Sequence, residues 1–384
     1  MSRVRNILKK LMNIIPLKNK VVLESNPDLS DNTYSLFNKM IEKGYNNKYR
    51  FYWLVQKPEE FSTIDIKNVY IREWNPSSFI NKLKKLWLLY TSKYIIVCNK
   101  YIEKRRDEQV VVALGHGTIL KSVKQYKMIG ADCDFTLCPS EYFIPIYCDQ
   151  LKLQEHQMLV SGYPRNDLIF SSKEKINKVL NLKQGSKVII WMPTFRKQKN
   201  SGRVDSDFDF KLGIPIIYDE EALKEVNDYL VQNNTVLMLK LHPAQDTSII
   251  KASSLSNLII LTDEMLGKSG VKLYEILSDT DALITDYSSI YYDYLLLDKP
   301  IGVTLDDFEE YTKKNGFPFE NVLDILKGEY IYNKDDLIKF IKNVNQGIDE
   351  KRADRQVINN LVNKYQKGNY SEFVLNYLIE NKKF

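Results

Sequence analysis

The sequence predicts an α/β protein of two doubly wound halves, each built on a mainly parallel sheet. Its 384 residues exceed what one hydrophobic core ordinarily organises. From Lys20 onward, short runs rich in Val, Ile and Tyr alternate with longer helical patterns, which is how alternating strands and helices read in sequence. A charged helical stretch, SSKEKINKVLNLKQGSK, contains Gly185 near its end and holds the expected boundary. The halves therefore fall at 20–180 and 185–384, behind an N-terminal segment 1–19.

That segment begins MSRVRNILKKLMNII. Val4, Ile7, Leu8, Leu11, Ile14 and Ile15 stand at helical spacing with Arg3, Arg5, Lys9 and Lys10 between them, and Pro16 closes the run. The pattern predicts a basic amphipathic helix, lying on an anionic membrane or packed on its own domain. It has neither the continuous apolar stretch nor the small-residue cleavage site of a secretory signal. In the first half, strands are expected at Val21–Glu24, Phe51–Val55, Tyr94–Cys98, Val110–Leu114, Phe135–Cys138 and Met158–Ser161. The second half repeats the arrangement at Val188–Met192, Val236–Leu241, Leu258–Leu261, Ala282–Thr285 and Ile301–Val303. The polar, aperiodic segment 196–213 reads as a loop beside a strand end. Apolar runs such as Leu86–Tyr90 are far too short to span a bilayer.

Composition narrows the function classes. The 55 Lys plus Arg against 49 Asp plus Glu leave a net charge of +6, too small a surplus for a nucleic-acid-coating protein but one that suits an anionic surface. Cys98, Cys133, Cys138 and Cys148 show no CxxC spacing and no paired histidines nearby, so neither a zinc site nor a disulfide framework is expected. A reducing cytoplasm is the simplest setting. The DxD-like tripeptides Asp132-Cys133-Asp134 and Asp205-Ser206-Asp207 stand apart from the other motifs, and no metal is expected at either.

Doubly wound sheets bind ligands beyond the carboxyl ends of their strands, so the residues at those ends come first. In VVVALGHGTILK a strand runs into Gly115, His116, Gly117 and Thr118, with Lys121 following. Flanking glycines let backbone approach a ligand closely while the imidazole points outward, and the position between the halves favours function over a helix cap. In TVLMLKLHP a strand delivers Lys240 and His242 on one side before Pro243 stops it, a pairing that suits a diphosphate. A lysine within an apolar strand is costly without an anionic partner. In ALITDYSSIYYDYLLLDKPI, Ser288 and Ser289 open a helix as ordinary caps or as an anion site. Asp293 follows Ser289 by four residues, facing ligand hydroxyls, while Asp286 orients the loop or a histidine. WMPTFRK brings Pro193, Thr194 and Arg196 to the same edge. SGYPRNDLI supplies Arg165, which forks onto a phosphate or braces the hinge.

Taken in order, HGTILK, GYPRND, PTFR, KLHP and DYSSIYYDY resemble the CDP-glycerol glycerophosphotransferase family, which builds teichoic acids and related capsular polymers; the resemblance covers roughly residues 20–310. It implies a GT-B architecture, two Rossmann-like domains facing a central cleft, with acceptor and CDP-donor sides in that order along the chain. It also implies transfer of glycerol phosphate from CDP-glycerol to a lipid-linked or polymeric acceptor at the cytoplasmic face of the membrane, with release of CMP and no cofactor. By the same resemblance, His116 and His242 take the catalytic positions. Gly117, Thr118, Arg165, Pro193, Thr194, Arg196, Lys240, Ser288, Ser289 and Asp293 take the donor-binding ones, with Lys121 and Asp286 in support. Ile119 departs from the family's usual proline. Ribitol phosphate from CDP-ribitol, a nucleotide-sugar glycosyltransferase and a membrane-bound nucleotide-binding scaffold are the competing readings. The chain length suits a priming, short-chain or capsular role.

Overall fold

Two fully parallel sheets carry the fold of this computed structural model, which describes residues 15–100, 102–124, 133–170, 174–194, 212–241 and 255–380. The expected N-terminal helix, Arg196, His242, the loop 196–211 and the acidic tripeptide at 205–207 lie outside the described residues.

The first compact unit draws on residues 1–117, 123–167 and 368–384. Its strands are β1 (Lys18–Glu24), β2 (Arg50–Val55), β3 (Val69–Glu73), β4 (Ser92–Val97), β5 (Val110–Ala113), β6 (Phe135–Cys138) and β7 (Met158–Val160), in the order β3-β2-β1-β4-β5-β6-β7. Strands β1 and β4 are apolar without alternation because helices cover both faces of a parallel sheet. On one face Leu36, Phe37 and Met40 of the helix Asp31–Glu42 pack with Phe51 and Trp53, and Phe37 meets the Trp53 ring edge-on at 5.5 Å. On the other, Leu88 and Leu89 pack with Val22, Leu54 and Ile95.

The second unit draws on residues 118–122 and 168–367. Its strands are β8 (Lys187–Met192), β9 (Thr235–Leu239), β10 (Leu258–Ile260), β11 (Ala282–Thr285), β12 (Ile301–Thr304) and β13 (Glu329–Ile331), in the order β10-β9-β8-β11-β12-β13. The core gathers Trp191, Val226, Leu230, Leu237, Ile284, Leu337 and Phe340. Each sheet thus reverses its winding once, between β1 and β4 and between β8 and β11, and those reversals are the places where such folds hold ligands.

Every strand expected from the sequence has a counterpart. Two were missed, β3 and β13, and both are edges. VYIRE and EYI are half exposed and carry charged residues, so they lack the apolar run that marks a central strand. The units also divide otherwise than a single cut at 180–185. The break falls after Asp167, and the C-terminal helix Tyr370–Glu380 returns to the first unit, where Val374, Leu375 and Leu378 join the core beside the helix Asp31–Glu42. Among the described residues no helix is long and apolar enough to cross a membrane.

Candidate functional site

In the first unit the carboxyl end of β5 leads through Leu114 into Gly115, His116 and Gly117. Leu114 N–H donates to the Val97 carbonyl (2.8 Å), which keeps the chain in register with β4 for one residue more. Gly115 and Gly117 then take φ of 66° and 140°, the region where glycine has no Cβ to clash, and the loop turns outward. His116 is exposed at its crest. The backbone beneath it is held from several sides. The Gly115 carbonyl accepts from Asn32 Nδ2 (2.8 Å) and Cys98 Sγ (2.9 Å), and the His116 carbonyl accepts from Arg165 Nη1 (2.7 Å).

Arg165 is tied down as well. The same Nη1 pairs with Asp31 Oδ1 at 2.9 Å, with the two side chains 7% and 14% exposed, and its backbone N–H donates to Asn32 Oδ1 (3.0 Å). Asn32, fully buried, therefore bridges the His116 loop and the GYPRND turn with opposite ends of one amide. Of the two roles the sequence leaves open for Arg165, these contacts are those of a brace.

The rest of that turn binds the C-terminal helix. Asp167 accepts the N–H groups of Tyr370 (2.7 Å) and Ser371 (2.9 Å), so it caps a helix 203 residues further on rather than the one that follows it. Gly162, at φ 74°, lies so close that an added Cβ would sit 2.7 Å from the Tyr370 ring. Gly162→Ala is expected to cost about 2–5 kcal/mol in chemical unfolding, through left-handed strain plus overpacking. Gly115→Ala, where a Cβ meets nothing within 4 Å, should cost only the strain, about 1–2 kcal/mol.

At the winding reversal of the first sheet, Glu24 ends β1 fully buried. Its Oε2 accepts the N–H groups of Cys98 (3.2 Å), Asn99 (3.0 Å) and Lys100 (3.0 Å). Burial raises its carboxyl above the usual range against the pull of these three bonds. Glu24 Oε1 is buried with no hydrogen-bond partner among the described residues.

The second unit presents a corresponding edge at the β8/β11 reversal. Asp286, fully buried after β11, accepts from Thr194 N–H at 2.8 and 2.9 Å and from Thr194 Oγ1 at 2.5 Å. Thr285 Oγ1 donates to the Met192 carbonyl (2.8 Å), so side chains clamp the two strand ends together beyond the ladder. Ser288 and Ser289 follow, half buried, and the Ser289 hydroxyl does not cap the helix behind it. That helix, Ile290–Tyr294, is short, and its dipole adds little to whatever the N–H groups and hydroxyls offer an anion. Asp293, one turn after Ser289, is 1% exposed and accepts from the Tyr274 hydroxyl (2.6 Å). Lys240, directly after β9, has the anionic partner its burial demands, Asp263 Oδ1 at 3.0 Å. After β12, Asp306 Oδ2 accepts from Ile216 N–H and the Tyr218 hydroxyl, both at 2.7 Å, and Asp307 accepts from the Tyr287 hydroxyl (3.1 Å). Burial lifts the Asp306 carboxyl above its usual range.

These strand-end groups follow the motif order noted in the sequence, and the family model described as CDP-glycerol:poly(glycerophosphate) glycerophosphotransferase matches residues 7–380. The chain belongs to that family. Among curated relatives of this glycerophosphotransferase is the teichoic acid glycerol-phosphate primase of Bacillus subtilis (strain 168), 28% identical over 84% of this chain and 81% of the relative. The teichoic acid poly(glycerol phosphate) polymerase of Bacillus spizizenii is 24% identical over 80% and 79%. The teichoic acid ribitol-phosphate polymerase TarL of Staphylococcus aureus is 26% identical over 83% of this chain but 55% of the relative. Among solved structures, the wall teichoic acid polymerase TagF superposes with a TM-score of 0.73 at 22% identity, covering 99% of this chain and 96% of that one. A UDP-GlcNAc 2-epimerase from Neisseria meningitidis reaches 0.57 at 13%, covering 95% and 100%. At these identities the structural likeness is one of fold.

Several residues of the candidate site escaped the sequence reading. Glu24 and Asp306 stand at or just past predicted strand ends, a signal that marks them without help from structure. Asp31 and Asn32 had no such mark, because SDN ahead of a helical pattern reads as a cap.

Proposed function

We propose that this glycerophosphotransferase passes glycerol phosphate from CDP-glycerol to a lipid-linked acceptor or a growing teichoic acid or capsular polymer at the cytoplasmic face of the membrane, releasing CMP. In this reading each half has the Rossmann-like form of a GT-B enzyme, the first contributing the His116 loop and the second the β8/β11 edge. An acceptor hydroxyl attacks the phosphorus next to glycerol, the bond from that phosphorus to the bridging oxygen breaks, and CMP leaves with the bonding electrons. His116 takes the hydroxyl proton, a role within reach of an imidazole near neutral pH. Arg196, Lys240, His242, Thr194 and the Ser288–Ser289 turn meet the charge that develops on the departing phosphate, and Pro193 with Gly117 and Thr118 shapes the donor pocket. Lys121 supports it. Reactions of this kind depend on positioning and electrostatic stabilisation.

The observation that carries the reading is the exposed imidazole of His116 on a loop whose carbonyls are fixed by Asn32, Cys98 and Arg165. Fixed backbone under an accessible base is the preorganisation that such catalysis needs. Relatives handling ribitol phosphate stand at identities like those of the glycerol enzymes, so CDP-ribitol is the second donor to test. Incubation with CDP-glycerol, CDP-ribitol and UDP-sugars in turn, with a lipid-linked acceptor, is expected to release CMP from CDP-glycerol at a rate at least about 10-fold above that from CDP-ribitol and to leave UDP-sugars intact. Turnover of a UDP-sugar alone would overturn the assignment.

A further inference from the structure

Two neighbouring strands of the second sheet end in aspartates that tie down the same part of the chain. Asp286, after β11, accepts from the N–H and hydroxyl of Thr194, and Asp306, after β12, accepts from Ile216 and Tyr218. In sequence Thr194 and Ile216 flank the stretch 195–211, so both flanks of that stretch are fixed to adjacent strand ends. On the later flank Leu212, Ile214, Ile216 and Ile217 enter the second core.

Ile216 carries the strain of this anchorage. Its φ is 68°, in the left-handed region that a β-branched residue seldom adopts, and it is 2% exposed. Such a conformation costs about 1–2 kcal/mol and persists only where the surroundings hold it. Asp306 Oδ2 supplies part of the hold. It accepts from the Ile216 N–H and from the Tyr218 hydroxyl, both at 2.7 Å, so one oxygen fixes the strained backbone and the side chain two residues on. Burial, and then the bond to Asp306, raises the Tyr218 hydroxyl above the ordinary tyrosine range, so it remains a donor.

The next residue ties the other loop of the edge. Asp307 opens the helix Phe308–Lys314, but its side chain makes no cap bond there and accepts from the Tyr287 hydroxyl instead. Tyr287 lies between Asp286 and Ser288, and its buried ring sits 4.3 Å from that of Tyr311. Two consecutive residues beyond β12 therefore join the segment 212–218 to the DYSS turn. Neighbouring carboxylates withdrawn from water are a costly way to close a core, which apolar residues would close at less cost. Their use at the edge that holds Thr194, Ser288 and Ser289 points to a role in the site.

We propose that Asp306 and Asp307 are positioning residues for the donor. They fix the segment that follows the PTFR stretch against the Ser288–Ser289 turn, so that Thr194, Ser288 and Ser289 meet the donor phosphates already in place. The inference rests on the transfer reading, which sets those groups on CDP-glycerol. Groups ordered before the ligand arrives bind it without the cost of ordering them.

The test is steady-state CMP release over a range of CDP-glycerol concentrations, together with hydrogen exchange of the unliganded protein. Asp306→Ala is expected to raise KM for CDP-glycerol at least about 10-fold while kcat falls by less than about 3-fold. It should also speed exchange of the Ile216 amide by about 10-fold or more, with the amides of β8 and β11 still protected. Asp306→Asn keeps an acceptor oxygen and should bring KM back to within about 3-fold of wild type. Tyr218→Phe and Tyr287→Phe each remove one hydroxyl, and each should raise KM by roughly 3- to 10-fold. A wild-type KM in folded Asp306→Ala overturns the proposal. So does loss of protection throughout the second sheet with KM unchanged in the folded fraction, since that is how a residue serving stability alone would behave. Should Asp306→Ala fail to fold, the tyrosine variants decide, and a wild-type KM in both removes the pair from the donor site. Faster Ile216 exchange in Asp306→Ala, when wild type releases no CMP from CDP-glycerol, sinks the transfer reading and keeps the tie at Ile216. CMP release whose KM ignores all four variants does the reverse.

Discussion

CMP release from CDP-glycerol is expected to fall by at least about 10²-fold when His116 becomes alanine, with CDP-glycerol binding retained. The size follows from the loss of proton acceptance at the attacking hydroxyl. The retention of binding follows from the architecture of the loop, because the contacts that hold it run through the carbonyls of Gly115 and His116 and not through the imidazole alone. Single-turnover CMP release together with calorimetric titration of CDP-glycerol separates the two. Turnover within a few-fold of wild type would remove His116 from the chemistry, and loss of binding in step with turnover would make it a donor ligand.

The second large effect belongs to Arg165. Removing one member of a buried, hydrogen-bonded ion pair leaves the other uncompensated, so Arg165→Ala is expected to destabilise the first unit by about 3–5 kcal/mol. Adding Asp31→Ala should give back part of that loss, because the stranded carboxylate goes with it. Unfolding monitored by hydrogen exchange in the strands of the first sheet measures both. Kinetics then distinguish a brace from a phosphate ligand. Arg165→Lys keeps the charge but replaces the rigid, planar guanidinium, whose Nη1 meets both Asp31 and the His116 carbonyl, with a flexible ammonium that holds the pair less firmly. As a brace it should lower kcat by about 10-fold with KM for CDP-glycerol little changed. A rise in KM at constant kcat would return Arg165 to the donor site.

Much of this molecule could be read from its residues because the signals are local. Runs such as VVL and ALI are buried on both faces and show as unbroken apolar stretches, and the polar residues at and just past their ends mark the candidate edge. What could not be read is partnership at a distance. Lys240 announces that it needs an anion, and nothing in KLHP says that Asp263 provides one. Asp167 looks like a cap, and only the fold reveals which helix it serves. Asp293 lies one turn after Ser289 as expected, yet the tertiary packing of Tyr274 decides where its carboxylate is used. The half-exposed edges β3 and β13 failed for the opposite reason, since water contributes to them what apolar neighbours contribute elsewhere.

The return of the C-terminal helix to the first unit imposes an order on biogenesis. A nascent chain emerges at about 5–20 residues per second, and the first sheet is complete once β7 has left the ribosome. Asp167 must then wait for Tyr370 and Ser371, 203 and 204 residues later, while the whole second unit is synthesised. Until that moment the face of the first core meant for Val374, Leu375 and Leu378 stays open to water, and the turn bearing Arg165, which grips the His116 loop, lacks its last support. The half that carries His116 is begun first and finished last, so a chain released early would lack a finished His116 loop however well its second unit had folded.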